Sequence, residues 1–254
     1  MKAAGHSFSA ILLAAGEGSR LGSVPKSLMR LAGRSLIERQ ILALLKAGVD
    51  KIIVVTGYYY SAIEAELDKI MPEFDHLQQE SPEFLGENSA VPDKDSSSSR
   101  YAIHIVRNPA PERGQQSSVL LGLETLSQLR NAEPLNNHQG TNDPVLIALV
   151  DQPLMRETDY QACVTAFHQR SADCSIVYPV VRGQRGNPVA LSANAAEDVL
   201  HSGLTCREYI DRHKARVHTF ATDNEHFIVD IDEERDRLMF EQRTGLTLSL
   251  PEGT

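Results

Sequence analysis

The chain has 254 residues, with 34 Asp and Glu against 25 Lys and Arg, a formal net charge of −9. That length suits one large α/β domain or two small ones, and the acidic balance disfavours a nucleic-acid or membrane-surface partner. The odd, scattered cysteines Cys163, Cys174 and Cys206 contain no C-x-x-C pair and no apolar run approaches a membrane span, so reduced thiols in a cytoplasmic protein without disulfides, zinc or a secretory signal are expected.

In chain order, the uncharged run Ala10–Ala15 predicts a buried strand that stops in a loop containing Gly16, Gly18 and Gly22. Leu36, Ile37, Gln40, Ile41, Leu44 and Leu45 follow at helical spacing, with Gly48 as the stop. A strand is expected over Lys51–Thr56, then a helix opened by the capping box Ser61-Ala62-Ile63-Glu64 and reaching about Met71. Between about Pro72 and Arg100 the pattern gives way to prolines, acids and the run Ser96–Ser99, which predicts a surface insertion rather than an interdomain linker. Strands are predicted at Ala102–Val106, Val145–Val150 and Cys174–Val181, with a helix marked by Val119, Leu120, Leu123 and Leu126 and a polar loop over Asn131–Asp143. Further capping boxes are read at Thr158-Asp159-Tyr160-Gln161 and Thr205-Cys206-Arg207-Glu208. Alternating strand and helix patterns predict a mostly parallel sheet flanked by helices, in one domain over residues 8–245.

Leu13-Ala14-Ala15-Gly16-Glu17-Gly18-Ser19-Arg20-Leu21-Gly22, with Pro25 and Lys26 beyond it, reads as a phosphate cradle. Glycines let backbone N–H groups approach an anion, and Arg20 and Lys26 can neutralise its charge. Two better-known phosphate loops fail on spacing. A P-loop needs Gly-Lys-Ser/Thr, but Gly22 is followed by Ser23. A dinucleotide fingerprint needs a third glycine where Leu21 stands, and a carboxylate after the second strand, where Thr56-Gly57 stands.

The spacing does resemble the signature of nucleotidyltransferases with a GT-A-like fold. Further stretches recur in the matching order: Arg113-Gly114-Gln115-Gln116-Ser117-Ser118, Val150-Asp151-Gln152-Pro153, Gly183-Gln184-Arg185-Gly186-Asn187-Pro188 and Asp230-Ile231-Asp232. The resemblance is to the MobA-like family, and within it to members that act as cytidylyltransferases on molybdenum cofactor. It implies a three-layer, Rossmann-like α/β fold and Mg²⁺-dependent transfer of a nucleoside monophosphate from a triphosphate to a phosphorylated acceptor.

Carried onto this sequence, the likeness assigns Leu13 to Arg20 and Lys26 to the nucleotide, with Gln116, Ser117 and Ser118 reading the base. A serine N-cap is the alternative role for the last two. Arg20 and Lys26 offset charge on the departing pyrophosphate. Glu17, between two glycines, is read as exposed rather than catalytic. Asp151, after an apolar strand, stands where ligands of open α/β sheets collect, and a carboxylate there suits Mg²⁺. Alternation puts Asp230 and Asp232 on one face of an extended segment. Asp232 is favoured as the second metal ligand, with Asp230 beside it; capping of a helix from Glu233 is the competing role for Asp232. Arg185, Gly186, Asn187 and Pro188 are assigned to the acceptor, with Asn187 in place of the histidine common in the group. His6, His138, His168 and His213 are expected at the surface.

The resemblance also gives a hint about the base. Leu-Ala-Gly-Gly accompanies guanine, whereas Leu13-Ala14-Ala15-Gly16 matches the cytosine users, so CTP leads and GTP follows. Molybdopterin-type cofactor is the implied acceptor, with a molybdoenzyme or maturation protein as a possible partner. A sugar phosphate or methylerythritol phosphate would use the same core. From other classes, a nicotinamide-dependent oxidoreductase and a non-catalytic nucleotide-binding module are the rivals. The glycine spacing opposes the first, and the retained acids oppose the second.

Overall fold

The computed structural model describes residues 8–80, 102–132 and 143–251. The serine tract Ser96–Ser99, the rest of the expected insertion from residue 81 on, most of the 131–143 loop, His6 and His138 lie outside them.

The chain enters through strand β1 (Phe8–Ala14), every residue of which is buried. After the glycine loop, short strands β2 (Arg30–Leu31) and β3 (Arg34–Ser35) lead into helix α1 (Leu36–Lys46). Ser35 caps that helix through its side chain, which accepts the Glu38 N–H at 3.4 Å. Gly48, in the left-handed region at φ +88°, turns the chain into β4 (Val49–Thr56). Helix α2 spans Tyr60–Glu80, so it begins before Ser61 and passes through Pro72. Ser61 therefore lies inside the helix, not at a capping position, and residues 72–80 are helical instead of the start of an insertion. Ile63, Leu67, Ile70 and Phe74 form one buried stripe that runs past the proline, and its burial outweighs the local break.

Beyond residues 81–101 come β5 (Ala102–Arg107), α3 (Gln115–Ala132) and β6 (Val145–Leu149). Helix α4 (Glu157–Gln169) starts ahead of the box expected at Thr158; Asp159 instead accepts the Arg156 N–H at 2.8 Å. Strands β7 (Ile176–Val181), β8 (Gln184–Arg185) and β9 (Val189–Leu191) precede α5 (Ala193–His201). Helix α6 (Cys206–Arg212) opens with the Thr205–Glu208 box: the Thr205 N–H donates to Glu208 Oε2 at 2.8 Å and the Glu208 N–H to Thr205 Oγ1 at 3.1 Å. Strand β10 (Val217–Thr222), helix α7 (Glu234–Thr244) and β11 (Leu248–Ser249) complete the described chain.

The main sheet has the order β10-β7-β9-β6-β1-β4-β5, with β8 paired to β7. Its centre is parallel, β1 lying between β4 and β6 in register Ala10↔Ile52 and Ala10↔Leu146. Strand β9 runs antiparallel to both neighbours. A second small sheet joins β11, β2 and β3. Apolar side chains pack on both faces of the main sheet: α1, α2 and α4 cover one, α3, α5 and α6 the other. This is a three-layer, mostly parallel α/β sandwich in one domain. The carboxyl ends of β1, β4 and β6 meet at one edge, and the loops that follow them form the cleft.

Candidate active site

The cleft has a volume of about 610 Å³. Its floor is the chain after β1. Gly18 is left-handed at φ +66°, and a Cβ there would stand 2.2 Å from the Val24 carbonyl oxygen. The loop folds back through the Leu21 and Ser23 N–H groups, which donate to Gly18 O at 2.8 and 3.0 Å. Tyr59 braces it from α2's side, its single hydroxyl proton shared between the carbonyls of Glu17 and Ser23. Gly57, after β4, lets two backbones touch, since a Cβ there would be 2.5 Å from Ala15 O.

Lys26 projects from this floor between two acids of distant origin. Its ammonium donates to Asp232 Oδ1 at 2.7 Å and to Asp151 Oδ2 at 3.2 Å. Only 14 % of its side chain is exposed. Burial alone would lower the Lys26 pKa, but Asp151 and Asp232 outweigh it and the pKa is raised. Asp151 is pushed up, mainly by desolvation, with Lys26 opposing. Desolvation also acts on Asp232, yet the contacts with Lys26 and Arg20 prevail and hold it below its ordinary value. Asp230 is raised by burial and by the charges of Asp151 and Asp232. Arg20, at the rim with 68 % of its side chain exposed, donates to Asp232 Oδ2 at 2.9 Å.

The segment carrying Asp230 and Asp232 has no helical role. Helix α7 begins at Glu234, and Asp236 accepts the Asp232 and Glu233 N–H groups at 3.0 and 2.8 Å. Asp232 therefore caps nothing, and its carboxylate is turned to the cleft. Ile231, between the two acids, is fully buried, so the expected alternation holds.

Leu13 to Arg20, Lys26, Ser118, Asn187 and all three acids line the cleft. Gln116 and Ser117 do not. Gln116 spans to the start of α6, donating to Leu204 O and accepting from the Cys206 N–H, both at 2.9 Å. Ser117 donates to Gly114 O at 2.8 Å, and since α3 starts at Gln115 neither serine is an N-cap. Gln115 takes the wall position instead. Of the loop assigned to the acceptor, only Asn187 reaches the cleft. Arg185 lies over the Tyr178 ring at 4.7 Å, and Gly186 is pressed against Phe227, where a Cβ would meet the carbonyl oxygen at 2.7 Å.

Sequence reasoning missed Tyr58, Pro111 and Glu112, which complete the wall. It also missed Asn108, buried behind it, whose Nδ2 donates to Ser117 Oγ and Ser118 Oγ at 2.8 and 2.9 Å. The Asn108-Pro109 pair at a strand end was the available signal.

Among the described residues, no group of three or more His, Cys, Asp or Glu is placed to hold a metal by itself. Asp151 and Asp232 nonetheless converge on one positive charge with hard oxygen donors. This fits a cation such as Mg²⁺, which takes one or two carboxylates and completes its shell with water and substrate phosphate.

Residues 10–217 match the MobA-like NTP transferase domain. The chain belongs to the MobA-like NTP transferase family. Among curated proteins it is 35 % identical over 118 residues to the bifunctional IPC transferase and DIPP synthase of Thermococcus kodakarensis, covering 46 % of this chain and 21 % of that one. It is 26 % identical over 242 residues to bifunctional protein GlmU of an Anaeromyxobacter species, covering 87 % and 41 %. Over 66 residues it is 47 % identical to 2-C-methyl-D-erythritol 4-phosphate cytidylyltransferase of Thermobifida fusca, a quarter of each chain. The chain thus spans between about a fifth and two fifths of the length of these relatives.

The same fold is found in a nucleotidyl transferase from Methanothermobacter, with a TM-score of 0.61, 23 % identity and coverage of 94 % and 98 %. It is found again in a Mycobacterium tuberculosis protein crystallised with manganese, with a TM-score of 0.57, 16 % identity and coverage of 93 % and 98 %. Among the described residues no helix is long and apolar enough to cross a membrane.

Proposed function

We propose that this family member is a divalent-metal-dependent nucleotidyltransferase that moves a nucleoside monophosphate, CMP in the favoured case, onto a phosphorylated acceptor. The observation that carries this reading is the Lys26 ammonium held by Asp151 and Asp232 against the glycine loop, inside one cleft. An acidic protein that binds a triphosphate must concentrate positive charge locally. Lys26 and Arg20 do so, and the acids add a place for a divalent ion.

An acceptor phosphate oxygen attacks the α-phosphorus in line, the bond to the bridging α–β oxygen breaks, and pyrophosphate leaves with the electron pair. The attacking phosphate is already ionised, so no side chain need act as nucleophile or base. The chain's work is positioning and charge stabilisation. The loop from Ala15 to Ser19 presents backbone to the phosphates, Lys26 and Arg20 offset charge on the leaving group, and Ala15 with Gln115 and Ser118 bounds the base. Asp151 and Asp232, with Asp230 beside them, would hold Mg²⁺, which when bound draws charge from the phosphates.

The Leu13-Ala14-Ala15-Gly16 stretch, which matches the cytosine users of the resemblance, supports CTP over GTP. Two acceptors are supported about equally: molybdopterin-type cofactor by the motif resemblance, and methylerythritol phosphate by the likeness to 2-C-methyl-D-erythritol 4-phosphate cytidylyltransferase. Pyrophosphate release with Mg²⁺, each of CTP, GTP, ATP and UTP, and a panel of phosphorylated acceptors tests the reading. CTP-dependent release with one acceptor is expected; no release in any combination would refute it.

A further inference from the structure

The two acids that hold Lys26 come from segments far apart in the chain, and one buried hydrogen-bonded chain bolts those segments together. Gln152, next to Asp151 and only 2 % exposed, donates from Nε2 to the Phe227 carbonyl at 3.0 Å. The same oxygen accepts the Asn187 N–H at 2.9 Å. Phe227 O is therefore the joint of three segments: the one bearing Asp151, the one bearing Asn187, and the one running on to Asp230 and Asp232.

Behind Gln152 the chain of bonds continues. Its own carbonyl accepts Gln40 Nε2 at 2.7 Å, and Gln40 Oε1 accepts the Tyr160 hydroxyl. Gln40 and Tyr160 are each 1 % exposed. Two flanking ties complete the frame. The Ile231 N–H donates to Asp151 O at 3.0 Å. Asp159 accepts Asn224 Nδ2 at 2.7 Å and has His226 Nδ1 at 2.9 Å.

We propose that Gln152 is a positioning residue: through the Phe227 carbonyl it sets the spacing of Asp151 and Asp232, and with it the affinity of the cleft for a divalent cation. This rests on the reading of the cleft as a metal-dependent nucleotidyltransferase site. Gln152 does not line the cleft; its amide is spent on the backbone. Partners that orient ligands from behind commonly control metal affinity by about 10- to 100-fold.

The test is Gln152→Met, similar in shape without the N–H donor, in the full-length protein. Manganese binding in the presence of CTP, read by calorimetry, is measured beside kcat and KM for pyrophosphate release. Manganese affinity is expected to fall about 10-fold or more, with kcat lowered and KM for the nucleotide nearly unchanged. Leu126→Ala, on the opposite face of the sheet, controls for general loosening: it lowers the melting temperature but leaves manganese affinity alone. Wild-type manganese affinity in Gln152→Met, or an equal loss in Leu126→Ala, would overturn the inference. Should Gln152→Met fail to fold, Tyr160→Phe carries the test, since it deletes one hydroxyl at the far end of the chain of bonds. A shift in the same direction supports the inference, and unchanged manganese binding in a folded Tyr160→Phe overturns it. A wild-type protein that releases no pyrophosphate would refute the functional reading; an active wild type with an unaffected Gln152→Met refutes only the positioning role.

Discussion

Replacing Lys26 with methionine is the most informative perturbation of the cleft. It keeps an unbranched side chain one atom shorter and removes its charge. With Nζ at 3.2 Å from Asp151 and 2.7 Å from Asp232, the two carboxylate oxygens stand at most ~6 Å apart. Two bare charges at that distance repel by about 3 kcal/mol at an effective dielectric of about 20. Breaking a fully buried pair costs about 3–5 kcal/mol. Asp232 keeps 36 % of its side chain in water, which discounts the cost to about 2 kcal/mol.

The pH dependence has a definite sign. Asp151 and Asp230 already have raised pKa values, chiefly from burial, and losing the lysine raises them further. A carboxylate whose folded pKa lies above its unfolded value costs stability at neutral pH and returns it as pH falls through the folded pKa. The deficit of Lys26→Met, measured by urea unfolding, should therefore be largest near pH 7.5 and shrink toward pH 5. Turnover should fall by about 10²–10³, since a donor aimed at developing charge is lost. A variant as stable as wild type at pH 7.5, with a deficit that grows on acidification or with turnover intact, would refute this electrostatic account.

Other outcomes follow from the same geometry. Asp151→Ala is expected to abolish pyrophosphate release while circular dichroism shows an intact fold; Mg²⁺-dependent turnover in that variant would remove Asp151 from the mechanism. Gly18→Ala forces a Cβ to 2.2 Å from Val24 O at a positive φ, so nucleotide affinity should fall at least 10-fold by equilibrium dialysis, with about 1–3 kcal/mol lost in stability. Burial pushes the Cys206 thiol up to about 11, with Arg185 opposing, so its thiolate fraction at pH 8 is only about one in a thousand. Iodoacetamide labelling of Cys206, followed by mass spectrometry, should be slow at pH 8 and accelerate steeply toward pH 11; rapid labelling at pH 8 would contradict the raised thiol pKa.

Much of this arrangement was legible before any coordinates. The uncharged run ending at Ala15 and the glycines after it specified a strand and a sharp loop because few other conformations bury the one and permit the other. Asp151 was legible for the same reason: an acid directly after the six apolar residues Val145–Val150 faces the sheet's edge. What stayed hidden depends on partners remote in sequence. Nothing around Pro72 reveals that Phe74 finds a place in the core and carries α2 through the proline. The reversed direction of the three-residue β9 is a matter of pairing, which a short apolar run leaves open. In the 113–118 segment, residue types alone could not tell which of Gln115 and Gln116 faces the cleft, because the helical rotation decides it. Gln116 is committed to Leu204 and Cys206, nearly ninety positions away. The 185–188 segment is the same lesson on a loop: Arg185 spends its charge on Tyr178, and of the four residues Asn187 alone reaches the cleft.

If the loop after β1 and the acids Asp151 and Asp232 form a single nucleotide and metal site, anomalous diffraction from a crystal grown with CTP and Mn²⁺ will show it. One manganese peak in contact with Asp151 and Asp232 is expected, with the triphosphate lying along Ala15 to Arg20. A peak held by other residues, or a nucleotide bound away from that loop, would contradict it.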